Sequence, residues 1–527
     1  MKINEKRRQV LQGALLAGMS CAWPLSAWSE EGSSSATEGA IPDEKRLWDI
    51  VVVGSGLAGV SAALSALEAG AQNVLLIEKG PLIGGHSAYS TGTLAVVGSD
   101  RQKTQGVTDS LDLMWEEAKK VGGESADEAL IRKIGRDSER ALQWLESYGV
   151  VFTPGVFQSL GGLTPRSVLA ESAQPGLTYT RELYEAALKR GLVVRFNTRM
   201  TGLHPIEESG ENRFWMVEVT SQQVPSTLQT RSVVIATGGF TANAEMVHKH
   251  DPQIPQGMRT TANPRGLYFD GAQGDGILIA EVAGAQLKDM DNIQLMPIWG
   301  GRLLDYVGGD IFLDHEGRRF VNEGASWKTL ENALLKLPNQ TMWVVTDAQS
   351  KKGISLGVKL ADGTVRKSDT IAEMAIGMGV DPTVLQKTLD DYNRGAAKHE
   401  DPQFGKTTFT QQINQPPYYW GKEQLFLHTT LGGIAINERA EVLDDNNQPI
   451  AGLYAAGETV GGIFGKSRLG GLAITGCVRL WARGRASSRS TRKATPTVNA
   501  QNSFFSPRVF PKFTTYPTGG SEKSARG

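Results

Sequence analysis

One apolar run ending in closely spaced glycines, Asp49-Ile50-Val51-Val52-Val53-Gly54-Ser55-Gly56-Leu57-Ala58-Gly59, constrains this chain more than any other feature. It predicts a strand, a tight turn and a helix from Ala58 to Ala69. Gly54 allows the turn, Gly56 lets backbone N–H groups approach a pyrophosphate, and Gly59 lets the helix pack closely on the strand. An anion at that helix N-terminus meets unpaired donors and the favourable end of the dipole. A second apolar run, Val74-Leu75-Leu76-Ile77, ends in Glu78, at the spacing of a carboxylate that binds a ribose hydroxyl. The unit predicts dinucleotide binding.

The segment after Glu78, Lys79-Gly80-Pro81-Leu82-Ile83-Gly84-Gly85-His86-Ser87-Ala88-Tyr89-Ser90-Thr91-Gly92, resembles the flavin-contacting segment of the fumarate reductase and succinate dehydrogenase flavoprotein family. The resemblance continues in the family's order. It runs through Val233-Val234-Ile235-Ala236-Thr237-Gly238-Gly239-Phe240, Gly274-Asp275-Gly276, Gly317-Arg318-Arg319-Phe320-Val321-Asn322-Glu323, His428-Thr429-Thr430-Leu431-Gly432-Gly433, Ala455-Ala456-Gly457-Glu458 and Arg468-Leu469-Gly470-Gly471. It implies FAD rather than NAD, and an α/β fold: a Rossmann-like FAD-binding domain in two parts, 47–290 and 418–482, with an inserted α+β capping domain over 291–417. The cofactor positions it implies are Gly54, Ser55, Gly56, Ala58, Gly59, Glu78, Lys79, Gly85, His86, Ser87, Gly92, Thr93, Ala236, Thr237, Gly238, Asp275, Gly457, Glu458, Leu472, Ala473 and Ile474.

A formal net charge of -1 gives no reason to expect nucleic acid or a membrane surface as partner. The cysteines, Cys21 and Cys477, form neither a haem-attachment motif nor a metal cluster. Electrons are therefore expected from a separate periplasmic c-type cytochrome or a quinol-linked protein. With no second glycine fingerprint after a strand, direct use of NADH is not expected. Arg7 and Arg8 precede an apolar stretch, Gly13 to Leu25, and a small-residue exit at Ala27-Trp28-Ser29. That order predicts a twin-arginine signal over 1–29 and a periplasmic protein, the apolar stretch being too short for an integral membrane segment. A polar linker over 30–46 and a basic tail over 483–527 lack the apolar content to pack. Helical spacing is read from Ser110 to Val121, Ala126 to Tyr148 and Tyr179 to Arg190, and strands from Val193 to Thr198, Phe214 to Thr220 and Ser232 to Ala236.

For the chemistry, His428 and Arg468 match the family positions that bind a substrate carboxylate, and a planar guanidinium fork suits that task. Glu458 is expected to hold FAD hydroxyls. His86 stands where membrane-bound members carry the histidine joined covalently to the flavin, so it either forms that bond or packs and hydrogen-bonds there. Two positions depart from the family: Met296 replaces a histidine before Pro297, and Trp327 falls where the proton-donating arginine belongs. Lys328, next to it, either supplies the proton, if the chain turns it inward, since a desolvated lysine loses its proton readily, or faces solvent on a cap helix. Met296 and Trp327 together favour an aromatic or alkyl-substituted monocarboxylate over fumarate. The resemblance implies an exported oxidoreductase moving a hydride between flavin N5 and a carboxylate-activated C=C bond. A dehydrogenase forming that bond, or a non-catalytic flavin electron carrier, are the alternatives.

Overall fold

The computed structural model describes residues 46–207, 213–264, 266, 269–297, 300–353 and 356–479. The expected signal and basic tail lie outside them. Strand Leu47–Val53 forms the middle of the main sheet, flanked in parallel by Val74–Ile77 and Val224–Ile235. Val193–Arg195 extends the sheet beyond Val74–Ile77, and Pro449–Ala455 extends it beyond Val224–Ile235, both in parallel. Glu441–Leu443 closes one edge antiparallel, and a meander through Thr198–Glu207 and Arg213–Ser221 joins Val224–Ile235. Strands buried on both faces read as near-continuous apolar runs, and Val74–Ile77 is buried at every position.

Helix Leu57–Glu68 starts at Gly56 and is almost wholly buried, as a helix beneath such a sheet must be. Its approach depends on glycine. A Cβ on Gly59 would lie 1.9 Å from the Gly54 carbonyl oxygen, and Gly54 itself has φ 104, a conformation that strains other residues. The helices expected from periodicity form over Leu111–Gly122, Glu128–Ser147 and Pro175–Lys189, the last starting four residues before the expected Tyr179 with Pro175 in its first turn. The first two are capped by Ser110 and Asp127 side chains.

Two strands differ from expectation. The run from Val193 to Thr198 is broken because Asn197 takes φ 51, a turn that asparagine tolerates, and a new strand starts at Thr198. The strand expected at Ser232 begins eight residues earlier, at Val224, because its first half alternates exposed and buried residues along the meander.

A second, antiparallel sheet is built from Ile311–Leu313, Thr341–Thr346, Tyr418–Gln424 and Arg366–Ser368. Helices Ile371–Met378 and Pro382–Lys398 cover it, around a core that includes Val345, Met374, Leu385, Leu389 and Trp420. Buried charges beside it are paired: Arg319 bonds both Glu323 and Asp401, and Lys406 reaches Glu323 at 3.1 Å.

The segments leading into and out of this region pair with each other, Ile293–Met296 against Phe426–Thr430. Gln294 faces Thr429 and Leu295 faces Leu427, so His428 is the extra residue of a β-bulge. A bulge re-aims the side chain it carries.

Gly59→Ala should lower thermal stability by about 1–3 kcal/mol, the usual range for overpacking, and release flavin from the purified protein. Differential scanning calorimetry and the ratio of flavin to protein absorbance measure both; an unchanged variant would mean that the turn relaxes freely.

Candidate functional site

The carboxyl ends of the parallel strands open into one cavity of about 1200 Å³. That exceeds a typical small-ligand pocket of roughly 300–1,000 Å³ and leaves room for a dinucleotide and a second, smaller molecule. Its lining includes every expected cofactor position except Gly59 and Leu472. Gly59 instead supports the turn from behind, and Leu472 is fully buried in helix Leu472–Arg479.

The cradle fits FAD. Glu78 is fixed by the Ser55 N–H at 2.9 Å, the Ser55 hydroxyl at 2.7 Å and the Gly80 N–H at 2.7 Å. Its carboxylate is thus set at the end of the second strand, where a ribose is expected. Lys79 donates to Asp275 at 2.8 Å and Arg199 donates to the other oxygen of the same carboxylate at 3.1 Å. The lysine is held in the cavity wall rather than left free.

Deeper in, two histidines stand in opposite protonation environments. His428 accepts at Nε2 from Arg468 Nη2, 3.0 Å away, and its Nδ1 lies 2.9 Å from the Thr261 hydroxyl. Burial first, then the Arg468 and His86 charges, hold its pKa well below the ordinary value. The Arg468 guanidinium is itself lowered to about 10, chiefly by burial, against the pull of Glu458. Its Nε has no partner among the described residues. A desolvated cation with an unused donor is a site for an anion.

His86 is the other case. Its Nε2 lies 2.6 Å from Asp270 Oδ1, and Asp270 Oδ2 accepts from the Thr260 hydroxyl at 2.7 Å. Burial works against the charged ring, yet Asp270 and Glu458 raise its pKa overall. Burial likewise works to raise Asp270, but His86, Thr260 and the Ala272 N–H bring it down to about 2. The pair is an ion pair. Glu458, which also lines the cavity, accepts from the Thr430 N–H at 3.1 Å and lies 3.9 Å from His86 Nδ1.

Part of the cavity wall is apolar. Met296 and Trp327 are 2 % and 6 % exposed, and both line the cavity. A Cβ on Gly161 would lie 2.0 Å from Trp327 Nε1, so the indole is seated against a bare backbone. Lys328 is not brought to the cavity. It points away from the wall, 44 % exposed, with Nζ 2.6 Å from the buried Glu331. Position 327 starts helix Trp327–Leu334, and neighbouring helical residues do not share a face.

Sequence reasoning missed several lining residues, above all Thr261 and Asp305. Asp305 lines the cavity and is exposed at its surface, while the protein packed around it raises its carboxyl above the usual range, against Arg302 and Lys359. Neither residue lies in a motif, so only the folded chain shows them. Among the described residues no cluster of side chains could hold a metal ion, and no helix is long and apolar enough to cross a membrane.

Replacing Asp270 with Asn tests the ion pair through stability. The Asp270 contribution is complete above pH 3.8 and is lost as pH falls toward about 2; that of His86 is complete below 6.5 and is lost as pH rises through its raised value. The difference between wild type and variant in urea unfolding should therefore peak between pH 4 and 6.5, at about 1–2 kcal/mol after solvent screening. A difference independent of pH would exclude the pair.

The family model described as "FAD binding domain" matches residues 49–474. A fumarate reductase (cytochrome) of Shewanella frigidimarina is 32 % identical over 434 residues, covering 81 % of this chain and 74 % of the relative. The acrylate reductase flavoprotein subunit of Shewanella woodyi is 30 % identical over 506 residues, covering 90 % of this chain and 96 % of the relative. Among solved structures, the open conformation of a flavocytochrome c3 fumarate reductase superposes with a TM-score of 0.63 at 32 % identity, covering 84 % of this chain and 78 % of that one.

Proposed function

Because the chain belongs to the fumarate reductase family of FAD-dependent oxidoreductases that act on C=C bonds, we propose that it reduces a monocarboxylic enoate with a bulky apolar substituent. FAD supplies the hydride when bound. The observation that carries the reading is the joint lining of one cavity by the enclosed Arg468 and by the apolar side chains of Met296 and Trp327. Arg468 holds the carboxylate and draws electron density from the double bond, and His428 keeps the guanidinium turned toward it. The apolar wall receives the substituent and excludes water.

With Lys328 turned away, the proton for the α carbon falls to another group. Asp305 is the one carboxyl of the 291–417 cap among the described lining residues. Its raised pKa extends the pH range in which the proton is available. The same group without its proton would serve as base in the reverse direction, and the apolar wall gives no preference for that direction.

His86 is assigned a non-covalent role. Its Nε2 is committed to Asp270, and a protonated imidazole is not a nucleophile. Acid precipitation should then release the flavin into the supernatant, and His86→Ala should still bind FAD. The Arg7-Arg8 signal pattern supports periplasmic placement and a separate cytochrome or quinol-linked donor.

The deciding experiment is anaerobic. Enzyme reduced with dithionite is mixed in turn with fumarate, acrylate, cinnamate and urocanate while the flavin absorbance is followed. Cinnamate should reoxidise it fastest and fumarate least; reoxidation by fumarate alone overturns the assignment of the wall. Arg468→Met should retain FAD and lose about a hundredfold in kcat/KM, the scale of a hydrogen bond to a charged group. Asp305→Asn should lose roughly 10²-fold or more in kcat and abolish the fall of activity with rising pH. A retained alkaline limb would assign the acid elsewhere.

A further inference from the structure

Segment Arg259 to Thr261 runs beside strand Phe426–Thr430: the Leu427 N–H bonds the Arg259 carbonyl at 3.0 Å, and the Thr261 N–H bonds the Leu427 carbonyl at 2.8 Å. Adjacent side chains of an extended segment point to opposite sides. Thr260 accordingly serves Asp270 and His86, while Thr261 meets His428.

Hydrogen-bond donor rules settle the arrangement at Thr261. Arginine has five N–H donors and no acceptor. The contact between Arg468 Nη2 and His428 Nε2 therefore requires a lone pair on Nε2. A neutral imidazole carries one N–H, which is then on Nδ1 and donates to the Thr261 oxygen 2.9 Å away. The hydroxyl has accepted, and its own proton remains to be given. Thr261 is 6 % exposed and lines the cavity.

From this we infer that Thr261 fixes the Nδ1–H form of His428 and presents its own hydroxyl proton to the substrate carboxylate. It is a third polar contact beside Arg468, and the histidine orients the guanidinium instead of donating to the substrate. The inference rests on the carboxylate-binding reading of the cavity. In this arrangement the imidazole stays an acceptor toward Arg468, so the guanidinium cannot turn its fork elsewhere without leaving Nε2 unpaired.

Two measurements test it independently. Nitrogen-15 histidine spectra of the FAD-loaded protein, with His428→Asn to assign the signal, should show His428 protonated at Nδ1 without any substrate. A wild-type signal protonated at Nε2 overturns the proposal, whatever the variants do. Binding is read separately, by flavin spectral perturbation of the oxidised enzyme with cinnamate and with 3-phenylpropanoate. Thr261→Val should weaken both by about ten- to a hundredfold, and Thr261→Ser should stay within about threefold of wild type because it keeps the hydroxyl. Equal affinity of Thr261→Val and wild type overturns the substrate contact. So does an equal loss in the serine and valine variants, which would mark a packing role for the methyl group. Should wild type bind neither acid, the carboxylate reading fails and this contact with it, while the nitrogen spectrum still decides the tautomer.

Discussion

The enclosed guanidinium of Arg468 is the constraint on which the site depends. A desolvated cation is costly unless opposite charge or hydrogen bonds compensate it. Here Nη2 is satisfied by a neutral imidazole and Nε by nothing among the described residues. Glu458 helps only through space, enough to offset part of the desolvation that brings the group to about 10. The guanidinium is therefore incompletely compensated among the described residues, which is what supports the carboxylate-binding role proposed for it.

Holding such a group needs a rigid frame, and the frame is made of strand pairing. The bulge at His428 arises because Gln294 and Leu295 pair with Thr429 and Leu427, leaving one residue over. The same strand carries the Arg259–Thr261 segment on its other edge. Consecutive threonines then hold two histidines in unlike states, one cationic through Asp270 and one neutral through Arg468. Two cations this close repel, so the low pKa of His428 is partly the consequence of the charge on His86.

Most of the cofactor cradle was legible because its chemistry is local in sequence. A glycine that must sit against a carbonyl, as Gly59 does, or an acid at a strand end, as Glu78 is, can be recognised from its immediate neighbours. Strands Leu47–Val53 and Val74–Ile77 were legible for the same reason, whereas Pro449–Ala455 was not read from the sequence. What sequence could not supply was direction. Whether Lys328 turns inward or faces solvent was open in the sequence; a helix places it about 100° from Trp327, and Glu331, one turn on, holds the lysine at the surface. Asp270 and Thr261 were invisible because their partners lie 184 and 167 residues away. Strand Val224–Ile235 was seen only in its buried half, since the exposed half reads as loop until its partner Arg213–Ser221 is known.

Trp327 joins these arguments. Its indole needs the space that a side chain at residue 161 would fill, and Gly161, with φ 72, provides it. The carbonyl of Gly161 accepts from the Gly470 N–H at 3.2 Å, two residues beyond Arg468. Gly470 also lies so close to Ser159 and Leu160 that a Cβ there would stand 2.5 Å from the Ser159 hydroxyl. The indole of Trp327 and the backbone beside Arg468 are thus parts of one tightly packed joint. A change of volume at Trp327 is transmitted to the backbone that carries the guanidinium, because close-packed interiors transmit strain. On the proposed reading of the cavity, substrate shape and carboxylate binding are for that reason coupled.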